Sequence, residues 1–152
     1  MGLFREGKFK DSLTAASFGL VIEGESVGTF RKCTGLENKH EVIKETKVVN
    51  GKTVVQKQPG QFTVSDVTLE RGTTDNLELY KWRQEIIDGN INANRKPCSI
   101  IVYAPNDEPV ARYELHDCWP SSIKMGDFDA SSNEVSIETI TLAPERMERV
   151  EP

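Results

Sequence analysis

One stretch, Phe62 to Gly89, limits what this chain can fold into more than any other, because strand, turn and helix signals follow one another in it. Val64, Asp66, Thr68 and Glu70 alternate with Ser65, Val67, Leu69 and Arg71, which is the period-2 spacing of a strand. Gly72 breaks that strand. Thr73 or Thr74 can then cap a helix, since a hydroxyl there accepts a bond from an orphan backbone N–H. Asp75 and Glu78 fall in the first turn, where the helix dipole favours negative charge. Leu77, Tyr80, Trp82 and Ile86 mark an apolar stripe that Leu79 and Ile87 widen. Gly89 stops the helix as a residue free to adopt the left-handed region. The spacing predicts a helix over about 74–88, roughly four turns. The rest of the chain reads as short strands, and one amphipathic helix among strands implies a mostly antiparallel β domain with a single helix laid on it.

Taken in order, Met1 to Ala16 is aperiodic and reads as an arm that orders only against a partner. Ser17 to Glu23 and Val27 to Cys33 read as a hairpin turned at Gly24 and ended at Gly35. Glu37 to Gln58 reads as a second, longer hairpin with Asn50-Gly51 at its tip, where a type I′ turn needs positive φ at both positions. That turn sets Val48 opposite Thr53 and Val49 opposite Lys52. Both faces of this hairpin are rich in charge, from Lys39, Glu41, Lys44, Glu45, Lys47, Lys52 and Lys57. A two-stranded ribbon so polar is marginal by itself, so it either frays in solvent or is covered by a partner. Pro59-Gly60 closes the segment. Pro97 to Tyr103 is a near-continuous apolar strand with both faces buried. Val110 to Cys118 alternates, and Trp119-Pro120 ends or bulges that strand. Ser121 to Asn133 is small and polar. Glu134 to Ala143 is the last strand; its apolar phase shifts between Ile137 and Ile140, which predicts a bulge or a corner. The segment after Pro144 reads as a loose charged tail.

The 152 residues suit one domain, with an arm over 1–16, a β core over 17–143 and a tail over 144–152. A net charge of −5 argues against a nucleic-acid-binding surface, which needs clustered Lys and Arg. No apolar run approaches a membrane span, and the N-terminus lacks a signal-peptide core. Cys33, Cys98 and Cys118 are odd in number and form no CxxC pair, which predicts free thiols in a reducing compartment.

Candidate chemistry is sparse. His116-Asp117-Cys118 sets a base, an acid and a nucleophile in a row, but on a strand Asp117 points away from the other two. His40, His116 and the three cysteines match no zinc spacing. The phosphate-loop patterns GxGxxG and GxxxxGK[ST] are missing from the sequence. Asp66 and Glu70 share one strand face, and such pairs are more often solvated than catalytic. Trp82 and Trp119 lack basic neighbours and read as packing anchors. No catalytic apparatus, cofactor site or metal site is expected.

Four stretches, in this order, resemble the tail-tube proteins of contractile phages and phage-derived injection systems. They are Phe30–Glu41 (FRKCTGLENKHE), Pro59–Trp82 with its Leu-Glu-Arg-Gly and Thr-Thr-Asp, Arg112–Pro120 ending Cys-Trp-Pro, and Asp129–Ala143 with Ala-Ser-Ser-Asn-Glu. The resemblance runs from about Ser17 to Ala143; Cys118 departs from it, standing where the family has a smaller residue.

The resemblance implies an antiparallel β-sandwich or half-open barrel with one helix. It implies a structural subunit whose copies close six at a time into rings, stacked as the hollow inner tube of a virion tail or injection particle assembled in the host cytoplasm. The implied partners are the chain itself, the sheath, baseplate and tail terminator, and DNA or effector protein in the lumen. The hairpin with Lys39 to Lys57 would reach a neighbouring subunit, and edge strands would form the ring interface. Six copies at −5 carry −30 per ring, and Asp66 and Glu70 are candidates to face the lumen. Arg71, beside Gly72, would pair with Glu134 or Glu138; Trp82, Trp119, Pro120 and Asn133 would be structural. The alternatives are a type VI secretion ring protein similar to haemolysin-coregulated protein, a monomeric ligand-binding barrel, and an enzyme built on Cys118 and His116.

Overall fold

The chain alternates strand and turn for most of its length, and the computed structural model describes residues 14–152 of it. Strands β1 (Ser17–Ile22) and β2 (Glu25–Phe30) form a hairpin, and β3 (Lys32–Thr34) follows after a one-residue bend. Strands β4 (Asn38–Val49) and β5 (Lys52–Val64) form the long hairpin, and β6 (Val67–Gly72) precedes helix α1 (Glu78–Ile87). A short 3-10 turn, Asn92–Asn94, leads into β7 (Lys96–Tyr103), β8 (Pro109–Lys124), β9 (Ile137–Ala143) and β10 (Arg146–Val150).

The pairing order is β2-β1-β7-β8-β9-β6-β3, all antiparallel, with β10 added along the first half of β8. Its two ends, β2 and β3, are consecutive in the chain and joined at Arg31, whose N–H bonds the Glu70 carbonyl of β6. The sheet therefore curls back on itself into a barrel. Two chain segments make the corners. One is β2–β3, and the other is β8, which pairs β7 along 109–118 and β9 along 119–124. The corner in β8 is a bulge: Cys98 faces Leu115 while Lys96 faces Cys118, and Asp117 takes φ +51 to absorb the extra length.

The barrel interior is filled by Leu20, Val67, Leu69, Ile100, Leu115, Cys118 and Leu142, all at 0–1 % exposure. Helix α1 caps it with Leu79, Trp82 and Ile86. Trp82 also donates its indole N–H to the Asn94 carbonyl at 2.8 Å, which ties the helix to the 3-10 turn. The space between helix and core, lined by Phe30, Leu79, Tyr80 and Ile123, is about 10 Å³. That holds one water at most, so the ligand-binding barrel has no chamber at this place.

Several expectations change. The helix starts at Glu78, not Thr74, because Thr74 Oγ1 bonds the Asn76 N–H and Asn76 Oδ1 bonds the Glu78 N–H at 2.9 Å, using up the donors in two successive side-chain turns. Leu77 therefore falls before the helix, 57 % exposed, and Ile87, its last residue, lies off the buried stripe at 59 %. Gly89, at φ +92, does end the helix. The strand expected over 64–71 is divided: Val64 is the last residue of β5, the chain breaks at Ser65-Asp66, and β6 begins at Val67. Pro59 does not close the hairpin, because β5 has no strand beyond it and an edge tolerates a missing donor. The returning strand of the first hairpin divides at Arg31 to serve two sheet regions.

Of the two outcomes expected at Trp119-Pro120, β8 bulges rather than ends: its register with β9 shifts between Pro120 and Ser122, and the strand continues to Lys124. The phase shift in the last strand disappears: Glu138, Ile140 and Leu142 all point inward, and the apparent break arises because a buried glutamate occupies an apolar place. The segment after Pro144 is strand β10, paired with β8 from Arg146↔His116 to Val150↔Arg112. The expected arm over 1–16 lies outside the described residues except for 14–16, which are irregular.

Candidate subunit-contact surfaces

The β4–β5 ribbon is a sheet of its own. Asn50 and Gly51 take φ +51 and +74 at its tip, and Val48↔Thr53 and Val49↔Lys52 are paired as the turn type requires. Every residue of β4 is exposed, and of β5 only Gly60 and Val64 are not. Side chains alternate between faces, so register decides what each face carries. One face holds Val42, Lys44, Thr46 and Val48 opposite Pro59, Lys57, Val55 and Thr53. The other holds Ile43, Glu45, Lys47 and Val49 opposite Gln58, Gln56, Val54 and Lys52, with a Lys47–Glu45 ion pair at 3.9 Å. Val42, Val48 and Val55 are 55–72 % exposed on the first face. A ribbon that leaves this much apolar area in water is not stabilised by its own burial. Lys39 and Glu41 sit at its base, where His40 and Phe62 rings meet at 4.9 Å.

Arg71 is buried and pairs with Glu138, not with Glu134. Its Nη1 reaches the Val27 carbonyl at 3.4 Å, and its guanidinium stacks over the Phe30 ring at 5.1 Å. The second Glu138 oxygen accepts from the Tyr80 hydroxyl. Burial, then this hydrogen bond, pushes Tyr80 up to about 12. The network ties β2, β6, β9 and α1 together, and its members face one another because Arg71↔Glu138 is a register pair of β6 and β9. Gly28 leaves room for it: a Cβ there would lie 2.6 Å from Arg71 Nη1.

The remaining expected residues scatter. Asp66 is exposed in the break before β6, and Glu70 lies on β6 with Lys32 at 3.7 Å, so the two are not neighbours on one strand face. Gly72 ends β6 and pairs with Ile137. Trp119 is half-buried opposite Ala143, and Pro120, fully buried, offers its carbonyl to Arg83 at 3.5 Å. Asn133 and Glu134 stand exposed on the 125–136 loop between β8 and β9. Gly126 and Ser136 pinch the base of that loop: a Cβ on Gly126 would lie 2.2 Å from Ser136 Oγ. The loop presents Met125, Phe128 and Val135 at 64–76 % exposure beside Asp127, Asp129 and Glu134. Hydrogen bonds from the Ser131 hydroxyl and N–H hold Asp129 below the usual carboxylate range. Sequence reasoning missed this loop because no periodicity marks it; its signal is large apolar residues spaced among acids.

The Cys118–His116 pair is not assembled. His116 Nε2 contacts Glu148 at 2.6 Å, while the Cys118 thiol is buried beside Cys98, whose hydrogen bond together with burial raises it far above the thiol range. A thiol so held supplies no thiolate nucleophile.

The residues in hand make surfaces, and the relatives of the chain are subunits. Residues 14–148 match the family model described as T4-like virus tail tube protein gp19. A chain of the PVC extracellular contractile injection system, in its extended sheath–tube complex, superposes with a TM-score of 0.72 at 23 % identity, covering 93 % of each chain. A chain of the anti-feeding prophage tube-terminating cap reaches 0.76 at 22 % identity over 100 % of both chains. Hcp1 from Flavobacterium johnsoniae reaches 0.50 at 16 % identity, over 90 % of this chain and 96 % of the other. No curated protein matches the chain by sequence. The family match spans the barrel strands, the ribbon and the first three residues of β10, and so the chain belongs to the T4-like virus tail tube protein gp19 family, as a structural subunit of a tail tube.

Proposed function

We propose that six copies of this chain close into a ring and that rings stack into the hollow tube of a contractile tail or injection particle. The observation that carries this reading is the ribbon: its 12- and 13-residue strands stand off the barrel with both edges unpaired and nearly every side chain in water. A monomer gains little from such an element, whereas an assembly covers it with a neighbouring copy. The edge strands β2 and β10 are the corresponding candidates for ring closure, because each pairs on one side only. The known injection-system chains come from complexes with a sheath, a baseplate and a tube-terminating cap, and partners of those three kinds are proposed here.

The function is mechanical. The tube stiffens within a contracting sheath and conducts cargo, DNA or protein, with no turnover. The −30 per ring, where part of it lines the lumen, keeps a polyanion from adhering to the wall. The closer superposition on injection-system chains than on Hcp1 favours the contractile particle over the type VI ring protein.

Negative-stain electron microscopy of the purified protein over a concentration series tests the reading. Rings or hollow tubes of uniform diameter are expected. A monomer at every concentration, and also when mixed with its baseplate, would overturn it.

A further inference from the structure

The ribbon and the rest of the chain carry opposite charge. Between Asn38 and Val64 five lysines stand against two glutamates, a net of +3, which leaves −8 on the remainder of a chain at −5. The charge is also sorted by face. The face with Val42, Val48 and Val55 carries Lys44 and Lys57 directly opposite each other and no acid. Like charges facing across two strands repel, so this pairing is unfavourable in an isolated ribbon. It turns favourable when an anionic group sits over both lysines.

The 125–136 loop has the matching chemistry. Asp127, Asp129 and Glu134 rim an open concavity that Glu70 and one base, Lys124, also line, so acids outnumber it four to one, and Phe128 and Val135 stand in water there. Lysines flanked by valines on one surface meet carboxylates flanked by Phe and Val on the other.

We propose that Lys44 and Lys57 of one copy dock on Asp127, Asp129 and Glu134 of a neighbouring copy, with Val42, Val48 and Val55 covering Phe128 and Val135. This rests on the tube reading and names the contact within it. The occupant is a second copy because the one sequence supplies both halves, basic-apolar and acidic-apolar, and a heterologous contact of this kind propagates along a stack.

Charge reversal tests it in three proteins: Lys44→Glu with Lys57→Glu, Asp127→Lys with Asp129→Lys, and the fourfold combination. All changes fall on exposed positions, and circular dichroism with thermal melting checks that each barrel folds. Both double variants should lose tubes under the electron microscope, and the fourfold variant should regain them. In wild-type tubes assembled from equal ¹⁴N and ¹⁵N protein, a carbodiimide should join Lys44 or Lys57 to an acid of the loop. The amide forms between the lysine amine and the activated carboxylate as the urea leaves, and mass spectrometry should find mixed-isotope pairs. Folded double variants that assemble like wild type, a fourfold variant that fails to assemble, or cross-links confined to one isotope would overturn the contact while leaving the tube reading in place. Wild-type protein that makes no tubes in any setting would overturn the tube reading itself.

Discussion

The barrel and the ribbon are built from the same antiparallel pairing, yet they are held by different forces. In the barrel, strands pack rows of apolar side chains against the opposite wall, and the buried Arg71–Glu138 pair is locked inside by register. In the ribbon, backbone hydrogen bonds and a type I′ turn do most of the holding, beside one exposed ion pair and one ring contact, and its valines face water. The barrel is a folded unit by its own burial. The ribbon is not, and on the tube reading proposed above it is half of a contact. A change that harms one should therefore leave the other nearly untouched.

The sharpest break is at Arg71. Arg71→Ala leaves Glu138 buried at 4 % exposure with no cation, and removing one partner of a buried pair costs about 3–5 kcal/mol. Thermal unfolding should fall by roughly 10 °C for a chain of this size. Replacing both, Arg71→Met with Glu138→Leu, should recover much of that loss, since two apolar groups need no partner. If the single variant melts like wild type, the pair does not hold the barrel. Next comes Trp82→Phe, which removes the indole bond to Asn94 and part of the cap; about 1–3 kcal/mol is expected in denaturant titration. Hydrogen exchange should show the ribbon amides unchanged in both.

How much of this could be read from the sequence differs between the two regions, for a physical reason. The ribbon was legible almost residue by residue, because Asn50-Gly51 dictates a local turn and the turn dictates register. The barrel was legible as alternating strands but not as a closed path. Closure depends on where β2 bends at Arg31 and where β8 bulges at Asp117, and neither has a local signal. Glu138 was half legible: it stood as one of two candidate partners for Arg71, as the structure pairs it, but the strand spacing placed a phase shift beside it, because its buried partner lies 67 residues away. The helix start failed for a local reason: Asn76 and Thr74 cap the backbone in turns, so the first turn came later than the hydroxyls suggested. The 125–136 loop has no period to read, although its acids and its Phe128 were in plain view.

The ribbon answers to its own change. Asn50→Ala with Gly51→Ala leaves two alanines in the left-handed region that Asn and Gly tolerate, at up to about 1–2 kcal/mol each. A ribbon without a core cannot absorb that, so the amides of β4 and β5 should lose protection from exchange. The melting temperature of the barrel should shift by less than 2 °C, within the roughly ±0.5 kcal/mol of a surface change. Tube formation should fall sharply. A large drop in barrel stability would mean that the two regions are one cooperative unit, and the contrast drawn above would fail.

The smallest effect lies at high pH and separates the regions again. Tyr80 donates to Glu138 only while protonated, and its folded value of about 12 stands above the ordinary 10. A proton held more tightly in the folded state contributes stability that is fully present below pH 10 and is lost as pH rises through 12. Tyr80→Phe should cost about 1 kcal/mol at neutral pH. The gap between wild type and variant should then close between pH 10 and 12, as the wild type loses what the variant never had. Chemical denaturation at pH 7, 10 and 11.5 reads this directly, with ribbon exchange as the control. The ribbon should exchange alike in both proteins, whereas the stability gap should close only through the Tyr80 hydroxyl. A gap that stays constant to pH 11.5 would show that the Tyr80 proton is not part of what holds Glu138, and the buried network would reduce to Arg71 alone.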